Sequence, residues 1–311
     1  MAAADDLPRA ARLRALAYGE VGVQWLRELP ETVRRLEERW GIKVGAAMVD
    51  GTAALVAEAV TCDGQPVVLK VAMPAAIDGA ATFARAVLIY TLAAGRGCAQ
   101  LLAHDVEHDA LLLERLGPNL DSLGRSSAEQ LEIICATLDA LWVAVPDGTA
   151  LPTGAEHAVA LATAIERRWE ALGRPCTERT VTTALAFAAA RAAAFDRSTA
   201  VLVHGDAHSW NTLDAGDGAF KFVDPEGLIG ERAQDLGIPM RELSDELAAG
   251  DAVRIGHDRA ELLGRLARVD PTTIWQWGFV ERVANGLYSL ELGEDDLAMR
   301  DLAIADRWSQ V

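Results

Sequence analysis

Cysteine is scarce in this 311-residue sequence: four residues, Cys62, Cys98, Cys135 and Cys176, with no Cys-x-x-Cys pair. Metal clips and disulfide frameworks need clustered thiols, so these are expected to be buried, free cysteines in a reducing compartment. Long apolar runs are missing as well. The longest stretches, such as 86–95, stop after about ten residues, whereas a membrane span needs about 20. The N-terminus carries Asp5 and Asp6 and lacks the basic start and apolar core of a secretory signal, so a cytoplasmic location is expected. Basic residues are outnumbered: 29 Lys and Arg face 46 Asp and Glu, a formal charge of −17. Such a surface repels nucleic-acid phosphates and anionic membranes, so neither is expected as a partner, and cationic partners are favoured. Internal repeats and low-complexity linkers are absent. What is present, about half apolar and 24% charged, is a globular composition long enough for two modest domains or one bilobed one.

The pattern along the chain changes once. Pro30 to Trp40 predicts a helix, with Pro30 in its first turn, Val33, Leu36 and Trp40 on one face, and Gly41 as its stop. Residues 43–49, 53–60 and 66–71 then read as short strands separated by Asp50-Gly51 and Asp63-Gly64, dipeptides that favour hairpins. A helix over 81–94 and strands over 100–103 and 110–116 complete a small lobe. After Gly117-Pro118 helices dominate. Ser127 to Gln130 reads as a capping box opening a helix with Leu131, Ile134, Leu138 and Leu141 on one side. Further helices are expected over 155–171 and 178–197, a short β unit over 200–224, and a helix from Pro271, capped by Asp270, to about Gly293. The expected lobes are 1–116, with a leading helical segment, and 117–311.

The chemistry is concentrated in Val201-Leu-Val-His204-Gly-Asp206-Ala-His208-Ser-Trp-Asn211, followed by Phe220-Lys-Phe-Val-Asp224-Pro-Glu226. An apolar strand runs into a polar loop with Asp206, Asn211 follows five residues later, and a second apolar strand delivers Asp224. Phosphoryl transfer needs such a set. Asp206 can orient an acceptor hydroxyl and take its proton. Asn211 and Asp224 can supply hard oxygen ligands to Mg²⁺, which neutralises the triphosphate of ATP. Short loops at strand ends fix these groups, and positioning with electrostatics provides most of such catalysis.

This segment resembles the catalytic and metal-binding loops of the protein-kinase-like superfamily, and its His-Gly-Asp-x-His form with Asp224-Pro-Glu226 is similar to the aminoglycoside phosphotransferase branch. Asp50 to Val56, Leu111 to Gly117, Glu231-Arg-Ala-Gln-Asp235-Leu-Gly and Trp277-Gly-Phe-Val-Glu-Arg282 look like the streptomycin 6-phosphotransferase and hydroxyurea phosphotransferase family, over roughly 20–308. The resemblance implies an α+β fold: a protein-kinase-like bilobal architecture with a small, five-stranded antiparallel N-terminal lobe carrying one helix, and a mainly helical C-terminal lobe. It implies that Asp206 is catalytic and that Asn211 and Asp224 hold metal. Lys70 would grip the α and β phosphates. The turn at Gly51 and Thr52 would present backbone amides to phosphate oxygens, and Glu114 and Leu116 would form the adenine-binding hinge. His204 and His208 would be structural in the catalytic loop. Asp235 would buttress that loop or touch a cationic substrate, and Glu226, Glu231 and Glu281 are further substrate candidates. Two features depart from the pattern. No glutamate occurs between Glu58 and Glu107, and the acid that usually orients the strand lysine falls at Ala86, with Asp78 the carboxylate nearby. The phosphate loop carries no Gly-x-Gly-x-x-Gly.

The expected activity is transfer of the γ-phosphate of ATP to a hydroxyl of a small molecule, an aminoglycoside-like antibiotic or hydroxyurea, giving resistance. The alternatives are a kinase of another small alcohol or sugar, or a weakly active nucleotide-binding module. A protein kinase is disfavoured because His-Arg-Asp, Asp-Phe-Gly and Ala-Pro-Glu segments are all missing.

Overall fold

The structure, a computed structural model, describes residues 7–48, 54–73 and 82–310. The chain divides into two compact units, Met1–Gly117 and Pro118–Val311. The first contains α1 (Arg9–Ala17), α2 (Glu20–Trp40), β1 (Ile42–Ala47), β2 (Ala54–Thr61), β3 (Pro66–Ala72), α3 (Thr82–Ala93), β4 (Leu101–Asp105) and β5 (Ala110–Glu114). Its strands form one antiparallel sheet in the order β1-β2-β3-β5-β4. Alternation along β3 sends Val67, Leu69 and Val71 into a core with Leu29, Val33 and Leu36 of α2. Lys70 therefore faces the other side of the sheet, with Val56 and Leu111 as its cross-strand neighbours.

Helix α2 begins ten residues before the expected start, and Pro30 lies inside it. Proline removes one donor and costs an interior helix stability. Here the buried stripe Leu29, Val33 and Leu36 offsets that loss, and the chain stops at Gly41 in the left-handed conformation, as the sequence predicts. The Asp63-Gly64 turn is described, with Gly64 at φ +86°. Gly51, Thr52 and Asp78 lie outside the described residues. Ala86 sits on α3, whose range follows the expected one closely.

The second unit is mostly helical: α4 (Ser127–Leu141), α5 (Gly154–Ala171), α6 (Glu178–Ala194), α7 (Arg232–Arg241), α8 (Ser244–Ala249), α9 (Ala252–Ala267), α10 (Pro271–Glu291) and α11 (Asp295–Trp308). Between α6 and α7 lie the short strands β6 (Val201–Val203), β7 (Thr212–Gly216), β8 (Ala219–Phe222) and β9 (Leu228–Gly230), paired as β6 with β9 and β7 with β8. The capping box of α4 sits one residue earlier than expected. Ser126 Oγ accepts from Glu129 N, and the Glu129 carboxylate accepts from Ser126 N at 2.9 Å. Two overlapping Ser-x-x-acid/amide frames compete here, and the charged acceptor takes the cap, while Gln130 Nε2 donates to the Arg125 carbonyl instead. Helix α6 stops short of 197 because Asp196 folds back to accept from Ser198 N and Oγ. No helix among the described residues is long and apolar enough to cross a membrane.

Helix α10 is the centre of this unit, burying Trp277, Phe279, Val280, Val283 and Leu287. Helix α7 crosses it at a point where both helices carry glycine. A Cβ on Gly237 would lie 2.8 Å from Trp277 Cβ, and one on Gly278 would collide with Met240 Cβ. The close crossing sets where the C-terminal end of α7 lies. Gly278→Ala is expected to force the helices apart and lower unfolding stability by about 1–3 kcal/mol, read as a fall in urea midpoint at unchanged m-value.

Candidate active site

The loop after β6 is held by one carboxylate. Asp235, in the first turn of α7 and fully buried, accepts from His204 N (3.0 Å), Gly205 N (2.9 Å) and Trp142 Nε1 (2.9 Å). Burial pushes its pKa up to about 6, against three donors that favour the ionised form. Gly205 has φ +86°, and a Cβ there would come within 3.1 Å of Glu226 Cβ, so the turn into Asp206 takes glycine. The His204 ring completes the turn. Its Nδ1 accepts from Asp206 N (3.2 Å), which leaves Nε2 to donate to the Val223 carbonyl (3.0 Å). Burial lowers its pKa to about 4, so it stays neutral.

Asn211 ends a 3₁₀ turn that feeds β7. Its Nδ2 donates to Asp206 O (3.1 Å) and Oδ2 (3.3 Å), an orientation that leaves its carbonyl oxygen Oδ1 without a role in holding the loop. The hairpin β7–β8 returns the chain, and Val223 N donates to Asn211 O at 2.9 Å. That bond brings the start of the Asp224 segment alongside Asn211. Asp224 is exposed and adopts φ +55°, a left-handed conformation uncommon outside glycine and tolerated best by Asp and Asn. An amide oxygen and an exposed carboxylate are hard donors, so this pair fits Mg²⁺ and not a soft metal.

Asp206 is also gripped by His208 of the motif and by Arg241, which lies outside it. Arg241 Nη2, at the end of α7, lies 2.8 Å from Oδ1, and His208 Nε2 lies 3.2 Å from Oδ2. Burial would raise the Asp206 pKa, but the His208 hydrogen bond and the nearby positive charges hold it at about 2. Burial likewise opposes the charge on His208, and Asp206 outweighs it, raising the histidine. Arg241 reaches Glu281 on α10 through Nη1 (3.5 Å), and Glu281 reaches His157 on α5 (3.5 Å). His157, Glu281, Arg241, Asp206 and His208 thus form one line of alternating charge. Burial opposes the His157 charge, and the bond to Glu281 still raises its pKa. Sequence reading missed Arg241 and His157. Each sits on a helix without a motif of its own, and the only available signal was an arginine at the buried end of a proline-containing helix.

The four acids nominated for substrate are differently placed. Asp235 serves the loop. Glu281 is buried between Arg241 and His157. Glu231 accepts from Trp277 Nε1 (2.7 Å) and lies 3.3 Å from Arg191. Glu226 is exposed, and its pKa is raised by surrounding protein atoms and by the charges of Asp206 and Glu281. Lys70, Glu114 and Leu116 belong to the first unit. Glu114 Oε1 accepts from Gln100 N at 2.6 Å, and Leu116 is buried just beyond β5. Asp235→Ala would strand buried donors, so it is expected to lower stability by about 3 kcal/mol, measured by urea denaturation.

Residues 39–293 match the family described as Aminoglycoside/hydroxyurea antibiotic resistance kinase. A streptomycin 6-kinase of Streptomyces glaucescens is 29% identical over 90% of this chain and 89% of its own. A hydroxyurea phosphotransferase of Kitasatospora aureofaciens is 31% identical over 93% of this chain and 81% of its own. Among solved structures, choline kinase LicA from Streptococcus pneumoniae superposes with a TM-score of 0.61 at 14% identity, covering 91% of this chain and 99% of that one, a likeness of fold. With a kinase-like fold and a matched segment spanning both of its units, the chain belongs to the aminoglycoside/hydroxyurea antibiotic resistance kinase family and is a small-molecule kinase.

Proposed function

We propose that this kinase transfers the γ-phosphate of ATP to a hydroxyl of a cationic, aminoglycoside-like antibiotic, with Asp206 as the group that receives the hydroxyl proton. The observation that carries the reading is the Asn211 side chain. It binds Asp206 through its amide nitrogen and leaves its oxygen for a metal, so the proton acceptor and a metal ligand are built as one piece. Asn211 and Asp224 would hold Mg²⁺, which supplies charge neutralisation of the phosphates. The lobes expected over 1–116 and 117–311 would take the nucleotide-binding and catalytic roles. In the first, Lys70 grips phosphates, Gly51 and Thr52 offer backbone amides, and Glu114 and Leu116 form the adenine hinge. A cytoplasmic location fits a need for ATP.

Asp206 orients before it accepts. A carboxyl held at about 2 is a weak base toward an unreacted alcohol. It accepts the hydroxyl hydrogen bond, aims the oxygen at the γ-phosphorus, and takes the proton once the new O–P bond has made that oxygen acidic. The bond between the γ-phosphorus and the bridging oxygen breaks, and ADP departs with the electron pair. Loose phosphoryl transfer tolerates such late proton movement. His204 and Asp235 keep the loop in shape and take no proton.

The acidic surroundings support a cationic acceptor. Glu226 and Glu242 stand beside the Asp206–Arg241 pair, and Glu226 is open to solvent. ATP consumption is to be measured against aminoglycosides, hydroxyurea, sugars and a generic protein. An aminoglycoside is expected to give the highest kcat/KM, and a preference for the neutral hydroxyurea would overturn the cationic reading. Asp206→Ala is expected to bind Mg-ATP normally while its turnover falls by orders of magnitude. Asp224→Ala is expected to weaken metal-nucleotide binding instead. Calorimetric titration with nucleotide separates the two.

A further inference from the structure

Arg241 is fixed from behind before its side chain reaches the loop. Its carbonyl accepts from Arg282 Nη2 (2.7 Å) and Ser244 Oγ (3.1 Å). Arg282 is fully buried and is itself held by Asp301 at 2.8 Å. The close glycine crossing packs α7 directly against α10. The guanidinium then meets three carboxylates, and each uses a different nitrogen. Nη1 faces Glu281 at 3.5 Å, Nε faces Glu242 at 3.3 Å, and Nη2 faces Asp206 at 2.8 Å. A planar fork braced at two corners aims its third in one direction. The shortest of the three contacts is the one to Asp206.

The two oxygens of Asp206 are unequally used. Each carboxylate oxygen has room for about two donors. Oδ2 has both, His208 Nε2 at 3.2 Å and Asn211 Nδ2 at 3.3 Å. Oδ1 has Arg241. The remaining place for an acceptor hydroxyl is on Oδ1, the oxygen that Arg241 holds. We propose that Arg241 is a positioning residue that fixes Asp206 Oδ1 for the incoming hydroxyl, an inference that rests on the reading of Asp206 as the proton acceptor. Arg241 acts through Asp206, its partners being the carboxylates of Asp206, Glu242 and Glu281.

The test is a double-mutant cycle on the full-length chain, with phosphate transfer from radiolabelled ATP to the best acceptor as readout. The proteins are the unmodified chain, Arg241→Ala, Asp206→Ala, the double variant and Arg241→Lys. Arg241→Ala is expected to lower kcat roughly 10²-fold, the scale of a misplaced catalytic group. The KM for ATP should stay within about twofold, because uniform binding is untouched. Arg241→Lys should recover part of the rate, since one N–H still reaches Oδ1. In the Asp206→Ala background, removing Arg241 should change the residual turnover less than about threefold, because groups that act as a unit are not additive. A purely structural arginine would cost the same factor in both backgrounds. Equal losses in the two backgrounds, or an unchanged kcat in Arg241→Ala, would overturn the proposal. Full activity of Asp206→Ala would instead overturn the reading beneath it. If Arg241→Ala unfolds below the assay temperature, Arg241→Lys and its double variant carry the same cycle.

Discussion

The loop after β6 depends on one buried carboxylate, that of Asp235. The backbone N–H groups of His204 and Gly205 point into the protein where no sheet partner follows β6, and a buried donor left unmet costs about 1–3 kcal/mol. Asp235 meets both and takes the indole N–H of Trp142 as a third. That one side chain joins the loop after β6, Trp142 at the C-cap of α4, and α7. It sits near the start of α7, and Arg241 sits at the end of the same helix. One helix therefore holds the loop twice, by its backbone at one end and by the Asp206 side chain at the other. A shift of α7 would move both contacts together, which is why the glycine crossing with α10 matters so far from the reacting atoms.

Charge around Asp206 is arranged so that a cation lies between it and the buried carboxylate of Glu281. Two unit charges 4 Å apart interact by about 4 kcal/mol near a protein surface. Asp206 and Glu281 would repel each other, and Arg241 lies between them. The arginine carries its proton under all conditions, and the surrounding acids raise its affinity for it further, burial notwithstanding. Behind it, Arg282 and Asp301 form a second, fully buried pair, in which burial pulls the arginine down to about 10. That pair is better understood as a fixture for the α7 terminus than as a source of stability, since buried ion pairs gain little over apolar packing.

Much of the arrangement was legible because it is local. His204, Asp206, Asn211 and Asp224 fall within one short β unit, and their spacing along the chain nearly determines their spacing in space. The five strands were legible from alternation and from the Asp63-Gly64 turn. What failed was set by competition or by distance. Pro30 reads as a helix start, and only the buried stripe on both sides of it reveals a longer helix. Ser126 and Ser127 offer equivalent frames, and the difference lies in the charge of Glu129. Arg241 meets Asp206 across 35 residues and Trp142 meets Asp235 across 93, contacts that periodicity does not encode.

The same pairing reshapes the question of what the acceptor touches. An acid-rich site invites the picture of many carboxylates waiting for a cation. Here most of them are already engaged by the protein's own cations and N–H groups: Asp235 by the loop, Glu281 by Arg241 and His157, Glu231 by Arg191 and Trp277. Displacing such partners would leave buried charges unpaired, a cost of several kcal/mol that a ligand must match. On the proposed reading, a cationic acceptor would therefore gain most from the acid that stays open, Glu226, whose charge is felt by Asp206. Under the proposed function, discrimination among acceptors would then fall to the distance between a cationic group and the reacting hydroxyl, because an open carboxylate near the proposed base favours one such separation.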